Sequence, residues 1–236
     1  FLPPICICCH QCVVEESQSS VELICKECCE QYFESETRRK NRCAFCGFPI
    51  AVYADSPSVT PVSCEECRQW GFQFSATHCL GGYKGRLKEL VLRAKMKSGL
   101  PIAFALGQAI GVRLPTRMPD VVIPVPMHWR RKVMRQQTTA EVIALGIRSQ
   151  IASPVTLETQ SIRASRVTQK QGMLSPEKRR ENVRDAFRVT KSQVVSGRRV
   201  LLVDDVVTTG ATLDELTNLL LGHGASDVEV AVVCRA

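Results

Sequence analysis

Paired cysteines are the sequence feature that most limits how this chain can fold. Twelve of its 13 cysteines precede residue 80, and most of them fall in four Cys-x-x-Cys pairs, which begin at Cys6, Cys25, Cys43 and Cys64. A two-residue gap lets two thiolates of one tight turn face the same ion, and two such turns complete a tetrahedral site. This segment has few large apolar residues, so metal binding would supply its folding free energy. Four pairs favour structural metal sites over disulfides or a redox dithiol.

Sequential pairing of the cysteines predicts two zinc sites. The expected ligands are Cys6, Cys9, Cys25 and Cys28 for one ion and Cys43, Cys46, Cys64 and Cys67 for the other. A further pair, Cys9-x-x-Cys12, leaves open whether Cys12 replaces Cys6. Gly47 directly follows Cys46 and suits the turn that such a pair needs. We therefore expect a double zinc-ribbon module in residues 1–78, with an exposed loop at 55–63.

Charge and hydropathy separate the chain into two parts. Residues 1–80 carry 6 Lys and Arg against 10 Asp and Glu, whereas residues 81–236 carry 25 against 13. The basic second part suits an anionic partner, either a phosphorylated metabolite or a nucleic acid. Its apolar runs fall short of the roughly 18 residues that span a bilayer. The first residues lack the pattern of a secretory signal. We expect a cytoplasmic protein without a membrane span.

Residues 79–236 alternate between strand and helix patterns. Apolar runs at 120–126, 199–203 and 228–233 are typical of strands, and the run at 199–203 is typical of a strand that is covered on both faces. Apolar residues recur at helical spacing in the ranges 85–97, 139–151 and 211–221. This alternation predicts an α/β fold with a parallel, Rossmann-like sheet.

The richest chemistry lies where the strand at 199–203 leads into the helix at 211–221. Free N–H groups and the dipole at a helix N-terminus favour an anion. Gly210 would let the backbone approach a phosphate closely, and the neighbouring threonine hydroxyls can donate hydrogen bonds. Asp204 and Asp205 lie at the carboxyl end of the strand, where open α/β sheets bind ligands. Beside an anion they make sense as acceptors from sugar hydroxyls, so the segment predicts a ribose phosphate site.

This segment resembles the phosphoribosyl diphosphate (PRPP) motif of the type I phosphoribosyltransferases. The shared pattern is an apolar strand, Asp-Asp, two variable residues, Thr-Thr-Gly, one residue and Thr. The resemblance implies that Asp204 and Asp205 hold the ribose 2′- and 3′-hydroxyls. It implies that the 5′-phosphate is held by Val206, Val207, Thr208, Thr209, Gly210, Ala211 and Thr212. It also implies Mg²⁺ as the companion of PRPP, bound to the protein largely through water.

Together with the cysteine pairs, the whole chain resembles the ComF/GntX family of proteins associated with DNA uptake. Further matches are Gly81-Gly-Tyr83, Ile123-Pro-Val-Pro126, Arg180-x-Asn182, Asp185-Ala-Phe187-Arg188 and the closing Val-Cys-Arg235. The resemblance implies a phosphoribosyltransferase-like domain in residues 79–236. It also implies a partner protein of DNA uptake or single-stranded DNA as a candidate partner. The acidic ribbon segment with few aromatic residues favours a protein partner there.

The resemblance also assigns the diphosphate end of PRPP. Val125, Pro126 and Met127 occupy the turn after a strand that holds diphosphate in type I enzymes, and a cis Val125–Pro126 bond is one expectation for such a turn. Arg130 and Arg131 would neutralise the diphosphate. A flexible loop that closes over PRPP would contain Arg163, Arg166, Lys170, Arg179 and Arg180. Ser175-Pro176 is in addition a good helix start, which would place residues 178–184 on a helix.

One departure from the family concerns the segment after the diphosphate turn. The family usually has Arg-Gly-Phe-Asn-Gln, whereas this chain has Arg135-Gln136-Gln137-Thr138-Thr139. Neither an aromatic platform nor a nucleobase pocket is evident in the sequence. A phosphoribosyltransferase with an unknown acceptor is therefore the first hypothesis. A non-catalytic PRPP-binding accessory protein is the second, and a nucleobase salvage enzyme is disfavoured.

Overall fold

The structure is a computed structural model that describes residues 5–11, 21, 23–50, 64–115, 117–127, 137–166 and 175–236. Its central sheet contains the strands β1 Thr77–Gly82, β2 Val121–Pro124, β3 Thr156–Leu157, β6 Arg199–Val207 and β7 Asp227–Arg235. All neighbouring pairs are parallel, in the order β1-β7-β6-β2-β3. The predicted parallel α/β sheet is confirmed.

Helices and a separate pair of antiparallel strands complete the architecture. The helices are α1 Lys26–Tyr32, α2 Glu36–Lys40, α3 Glu65–Trp70, α4 Gly85–Ala94, α5 Leu100–Gly111, α6 Thr139–Ser149, α7 Pro176–Val183 and α8 Ala211–Gly222. Short 3-10 turns lie at Lys97–Gly99 and Ser192–Val194, and the antiparallel strands β4 Ile162–Ala164 and β5 Phe187–Val189 form a separate pair. In the part of the chain that the structure describes, no helix has the length and apolar character to cross a membrane.

The two faces of the sheet bury different partners. Leu201 and Val203 of β6 pack with α4, α5 and α6, whereas Val200 and Leu202 of the same strand pack with α8. Successive side chains of a strand point to opposite faces, which explains this division. Cysteines 6, 25 and 28 belong to the first of these cores, and cysteines 43, 46 and 64 belong to the second. The two halves of the cysteine-rich segment therefore pack on opposite faces of one sheet.

One element boundary and two further elements differ from the sequence expectations. The strand β6 continues to Val207, because its pairing with β7 extends as far as Val207 and Arg235. The acid pair therefore lies within the strand. The strand β1 begins at Thr77, so the division after residue 78 falls inside it. The third difference is the helix α5, which the sequence analysis did not predict. It is buried along most of its length and therefore lacks an amphipathic pattern.

The helix α6 begins at Thr139, where the sequence places it. Thr138 is its N-cap: the Thr138 hydroxyl accepts a hydrogen bond of 3.1 Å from the Glu141 N–H, and the Glu141 carboxylate accepts one of 2.8 Å from the Thr138 N–H. This reciprocal arrangement is a capping box. It lies in the segment that departs from the family pattern, so Thr138 contributes to helix stability at that position.

Candidate functional site

The strand-to-helix turn that the sequence predicts to hold a phosphate comprises residues 206–212, and we call it the phosphate loop. Gly210 is the N-cap of α8, and the Ala211 N–H donates to the Thr209 hydroxyl at 3.4 Å. Asp204 and residues 206–213 line a shallow pocket at this turn. The first N–H groups of a helix have no partner within it, and the helix dipole adds positive potential. The turn is therefore suited to an anionic group.

Two features of the structure require glycine at position 210. Its φ of 74° is in the left-handed region, which is costly for residues with a side chain. An added Cβ would also lie 2.9 Å from Cε1 of Phe72. The sequence suggested close approach of a phosphate as the reason for this glycine. The structure shows that the ring of Phe72 occupies the space next to its α-carbon.

The acid pair has two different environments. The Asp205 carboxylate lies 2.9 Å from Nζ of Lys95, whereas Asp204 lines the pocket and accepts a hydrogen bond of 2.8 Å from the Asp205 N–H. Burial, followed by the charge of Asp205, raises the pKa of Asp204 to about 7. Lys95 follows α4, and its pairing with Asp205 joins residues that are far apart in the sequence. Nothing in the local pattern indicated this contact.

The predicted diphosphate turn follows β2. The Val125 N–H donates to the Val203 carbonyl at 2.8 Å, so the turn starts next to β6, the strand with the acid pair. The expectation of a cis Val125–Pro126 bond is wrong, since that bond is trans, the isomer that X–Pro bonds intrinsically favour. Arg130 and Arg131 lie outside the described residues. Their assignment to the diphosphate stays a prediction.

The arginines expected in a flexible loop belong largely to regular elements. Arg163 lies on β4 directly opposite Arg188 of β5, and Arg179 and Arg180 lie on α7. The helix with Arg179 and Arg180 is the one that the Ser175-Pro176 start predicts, and the β4–β5 pairing places Arg163 in a short strand. Arg166 follows β4 and donates to the Arg184 carbonyl at 2.7 Å. Lys170 lies outside the described residues. That these side chains close over PRPP stays a prediction.

The cysteines form two groups with the composition expected from sequential pairing. The first cluster contains Cys6, Cys9, Cys25 and Cys28, and the second cluster contains Cys43, Cys46, Cys64 and Cys67. Within each cluster all four sulfur atoms lie within 4.8 Å of one another, close enough to hold one metal ion. Cys12 lies outside the described residues.

Both clusters are built from the same two local structures. In each, one cysteine pair lies on a tight turn that ends in a left-handed residue, His10 or Gly47, and the other pair begins at the N-cap of a helix, α1 or α3. Burial acts to raise the pKa of the Cys6 thiol, but the N–H groups of Cys25, Cys9 and Cys8 outweigh it and lower the pKa to about 6. Such donors stabilise the thiolate, the form that binds metal.

Comparison with known proteins identifies the family. Residues 97–236 match the family model described as the phosphoribosyl transferase domain. The chain is 31% identical over 207 residues to the "DNA utilization protein YhgH" of Escherichia coli O157:H7, covering 83% of this chain and 85% of that protein. It is 27% identical to "Competence protein F" of Haemophilus influenzae over 82% of this chain and 84% of that protein.

The chain belongs to the ComF/GntX family and contains a phosphoribosyl transferase domain. The family domain includes the phosphate loop, the acid pair and the predicted diphosphate turn, all of which lie in residues 97–236. Among solved structures, glutamine PRPP amidotransferase from Bacillus subtilis is 22% identical, with a TM-score of 0.41. The match covers 62% of this chain and 30% of that chain.

Proposed function

We propose that this ComF/GntX protein binds PRPP at the carboxyl end of β6. Asp204 and Asp205 accept hydrogen bonds from the ribose 2′- and 3′-hydroxyls, and residues 206–212 hold the 5′-phosphate. The observation that carries this proposal is the pocket itself, in which an acidic side chain and the N-terminus of α8 face the same space. A sugar phosphate needs both acceptors and an anion site, whereas a phosphate alone would be repelled by the acids.

The acid pair also fits a Mg²⁺ ion bound with the ligand. Two carboxylates at one strand end supply the oxygen ligands that Mg²⁺ prefers, directly or through water. When bound, the ion would neutralise part of the diphosphate charge. The turn at Val125 to Met127 and the side chains of Arg130 and Arg131 would hold the diphosphate. Five basic residues lie in sequence between this turn and the phosphate loop and would add positive potential over the ligand. They are Arg163, Arg166, Lys170, Arg179 and Arg180.

The proposed reaction is transfer of the phosphoribosyl group to an acceptor that is not yet identified. The acceptor forms a bond to C1 of the ribose while the bond from C1 to the diphosphate oxygen breaks, and the diphosphate leaves with that electron pair. The protein would contribute by positioning and by stabilising charge. The names of the relatives refer to DNA utilization and to competence. These names support a role in DNA uptake or in the use of DNA, and we propose that the protein acts in the cytoplasm.

A PRPP-binding accessory protein without turnover is the second candidate. The names of the relatives, which refer to DNA utilization and to competence, are consistent with such a role. In this version a protein partner of DNA uptake, or single-stranded DNA, binds the chain while PRPP acts as a signal. Release of diphosphate separates the two candidates.

The decisive assay measures diphosphate released from PRPP and Mg²⁺ over a panel of acceptors that includes nucleobases and single-stranded DNA. An enzyme releases diphosphate with at least one acceptor, and release stops when Asp204 and Asp205 are both replaced by Asn. Bound PRPP without release over the whole panel would favour the accessory role.

Both cysteine clusters fit zinc. A tetrahedral site with Zn–S bonds of about 2.3 Å places its sulfur atoms about 3.8 Å apart. The Sγ atoms of Cys9 and Cys25 are 3.9 Å apart, and those of Cys43 and Cys67 are 3.6 Å apart. We expect metal analysis of the purified protein to find close to two zinc ions per chain. A folded chain free of metal would contradict this assignment.

A further inference from the structure

The segment after the second cluster contacts the phosphate loop. Cys64 and Cys67 lie at the start of α3, which ends at Trp70, and Gly71 then reverses the chain with a φ of 60°. We call Trp70–Phe74 the aromatic segment. Within this segment, the rings of Phe72 and Phe74 stack with their centroids 5.0 Å apart. Phe74 is buried, and the Phe72 ring lies so near Gly210 that a Cβ added to Gly210 would be 2.9 Å from its Cε1 atom.

The same segment contacts the first turn of α8. The Gln73 N–H donates to one oxygen of the buried Asp214 carboxylate at 2.9 Å, and Arg180 of α7 lies 3.4 Å from the other oxygen. The Arg180 guanidinium also stacks on the aromatic segment, 4.4 Å from the ring centroid of Trp70 and 5.5 Å from that of Phe72. The start of α8 is therefore held between the aromatic segment and α7.

A second contact reaches the phosphate loop from β7. The buried Arg235 side chain donates to the carbonyl of Thr208, within the phosphate loop. Its guanidinium lies 5.2 Å from the ring centroid of Phe48, which follows the Cys43–Cys46 turn, and 4.0 Å from the carboxylate of Glu66 in α3. Arg235 therefore links residues next to both cysteine pairs of the second cluster, Phe48 and Glu66, to the phosphate loop.

The first cluster lies elsewhere and provides a matched comparison. It packs with α4 and α5 on the other face of the sheet, and Arg93 of α4 donates to the Ile7 carbonyl at 3.1 Å. Its helix α1 ends at Tyr32, whose ring has the Arg86 guanidinium 5.6 Å from its centroid. An aromatic residue stacked with an arginine therefore follows each cluster, but only the second cluster's aromatic segment is known to contact Gly210.

We propose that Phe72 is a positioning residue for the phosphate loop, and that the second cluster sets PRPP affinity by holding Phe72 against Gly210. A helix N-terminus binds an anion well only when its N–H groups converge on one point, so a displaced loop loses affinity. A metal ion held by Cys43, Cys46, Cys64 and Cys67 would fix α3, which contains Cys67, and hence the aromatic segment. This inference rests on the proposed function, since it concerns the loop that would hold the 5′-phosphate.

Three variants test the proposal: Phe72→Ala, Phe72→Tyr and, as the matched control, Tyr32→Ala. Hydrogen–deuterium exchange of residues 208–214, calorimetric binding of PRPP with Mg²⁺, and the ratio of metal to protein are measured for each. Phe72→Ala should speed exchange of residues 208–214 and weaken PRPP binding about tenfold or more while both metal ions are retained. Phe72→Tyr keeps the ring, so exchange of residues 208–214 and PRPP affinity should stay close to those of the wild-type chain. Tyr32→Ala should change neither of these two quantities.

The cluster is tested separately with Cys67→Ser and Cys9→Ser. Loss of a ligand in the second cluster should reproduce the exchange and binding defects of Phe72→Ala, whereas loss of a ligand in the first should leave exchange of residues 208–214 unchanged. Unaltered exchange in Phe72→Ala, or equal defects in Tyr32→Ala, would overturn the proposal. Failure of the wild-type chain to bind PRPP would instead overturn the proposed function, while exchange still reports on the contact with Phe72.

Discussion

At the scale of single residues, the fold gives the two carboxylates of the acid pair different environments. Asp204 is held beside Asp205 in a partly buried position, and Lys95 pairs with Asp205. The identity of both acids was predictable from the sequence pattern. Their unequal environments were not, because Lys95 and the pocket come from elements that are distant in the chain.

Replacing Asp204 with Asn should stabilise the protein at high pH. The folded-state pKa of about 7 is raised above the usual value of 3.8, so the folded chain holds a proton that the unfolded chain releases. The contribution of the protonated Asp204 to folding stability is present below pH 3.8 and is lost as the pH rises through about 7. Asp204→Asn should therefore raise the free energy of unfolding at pH 8 by about 1 to 3 kcal/mol. Urea unfolding at pH 4 and pH 8 measures this.

The control for that experiment has the opposite sign. Hydrogen bonds from the side chain and backbone of Arg199 lower the pKa of Asp120, so its contribution is present at neutral pH and is lost on acidification. Asp120→Asn should lower stability at both pH 8 and pH 4, because the contribution of Asp120 is lost only as the pH falls below about 3.8. A gain that is equal at both pH values for Asp204→Asn would contradict the raised pKa.

At the scale of elements, periodicity predicted those helices and strands whose burial is one-sided or continuous. The helices α6 and α8 and the first half of β6 follow this rule. The helix α5 is apolar on nearly all sides, and β1 has one large aliphatic residue, Leu80, and depends on pairing with β7. Neither carries a periodic signal that a sequence analysis could use. The arginines of α7 were assigned to a loop by resemblance, although their own helix start was visible at Ser175.

Gly210→Ala should damage both the phosphate loop and the stability of α8. The added Cβ combines a positive φ with a close contact to Phe72, so we expect a loss of about 1 to 3 kcal/mol in unfolding free energy and weaker PRPP binding. Gly197→Ala is the matched control. Its φ of 70° is similar, but no atom lies within 4 Å of the added Cβ. It should show only the backbone cost and unchanged PRPP binding; equal binding defects in both variants would exclude a role for the Phe72 contact.

At the scale of the whole molecule, the cysteine-rich segment and the sheet share cores. The two clusters pack on opposite faces, and the segment between the second cluster and β1 reaches the phosphate loop. Sequence spacing was sufficient to predict the cluster ligands, because each pair is local and the pairs follow one another. Spacing could not show the packing of the clusters on the sheet, which depends on contacts across the molecule. The division at residue 78 stays a proposal.

Calorimetry with PRPP and Mg²⁺ tests the central claim most directly. The wild-type chain should bind one PRPP per chain. The double substitution Asp204→Asn and Asp205→Asn should weaken binding at least about a hundredfold, because it removes two charged acceptors of sugar hydroxyls that contribute about 1.5 to 3 kcal/mol each. A well-folded wild-type chain that does not bind PRPP, or a double variant with unchanged affinity, would contradict the assignment of this loop.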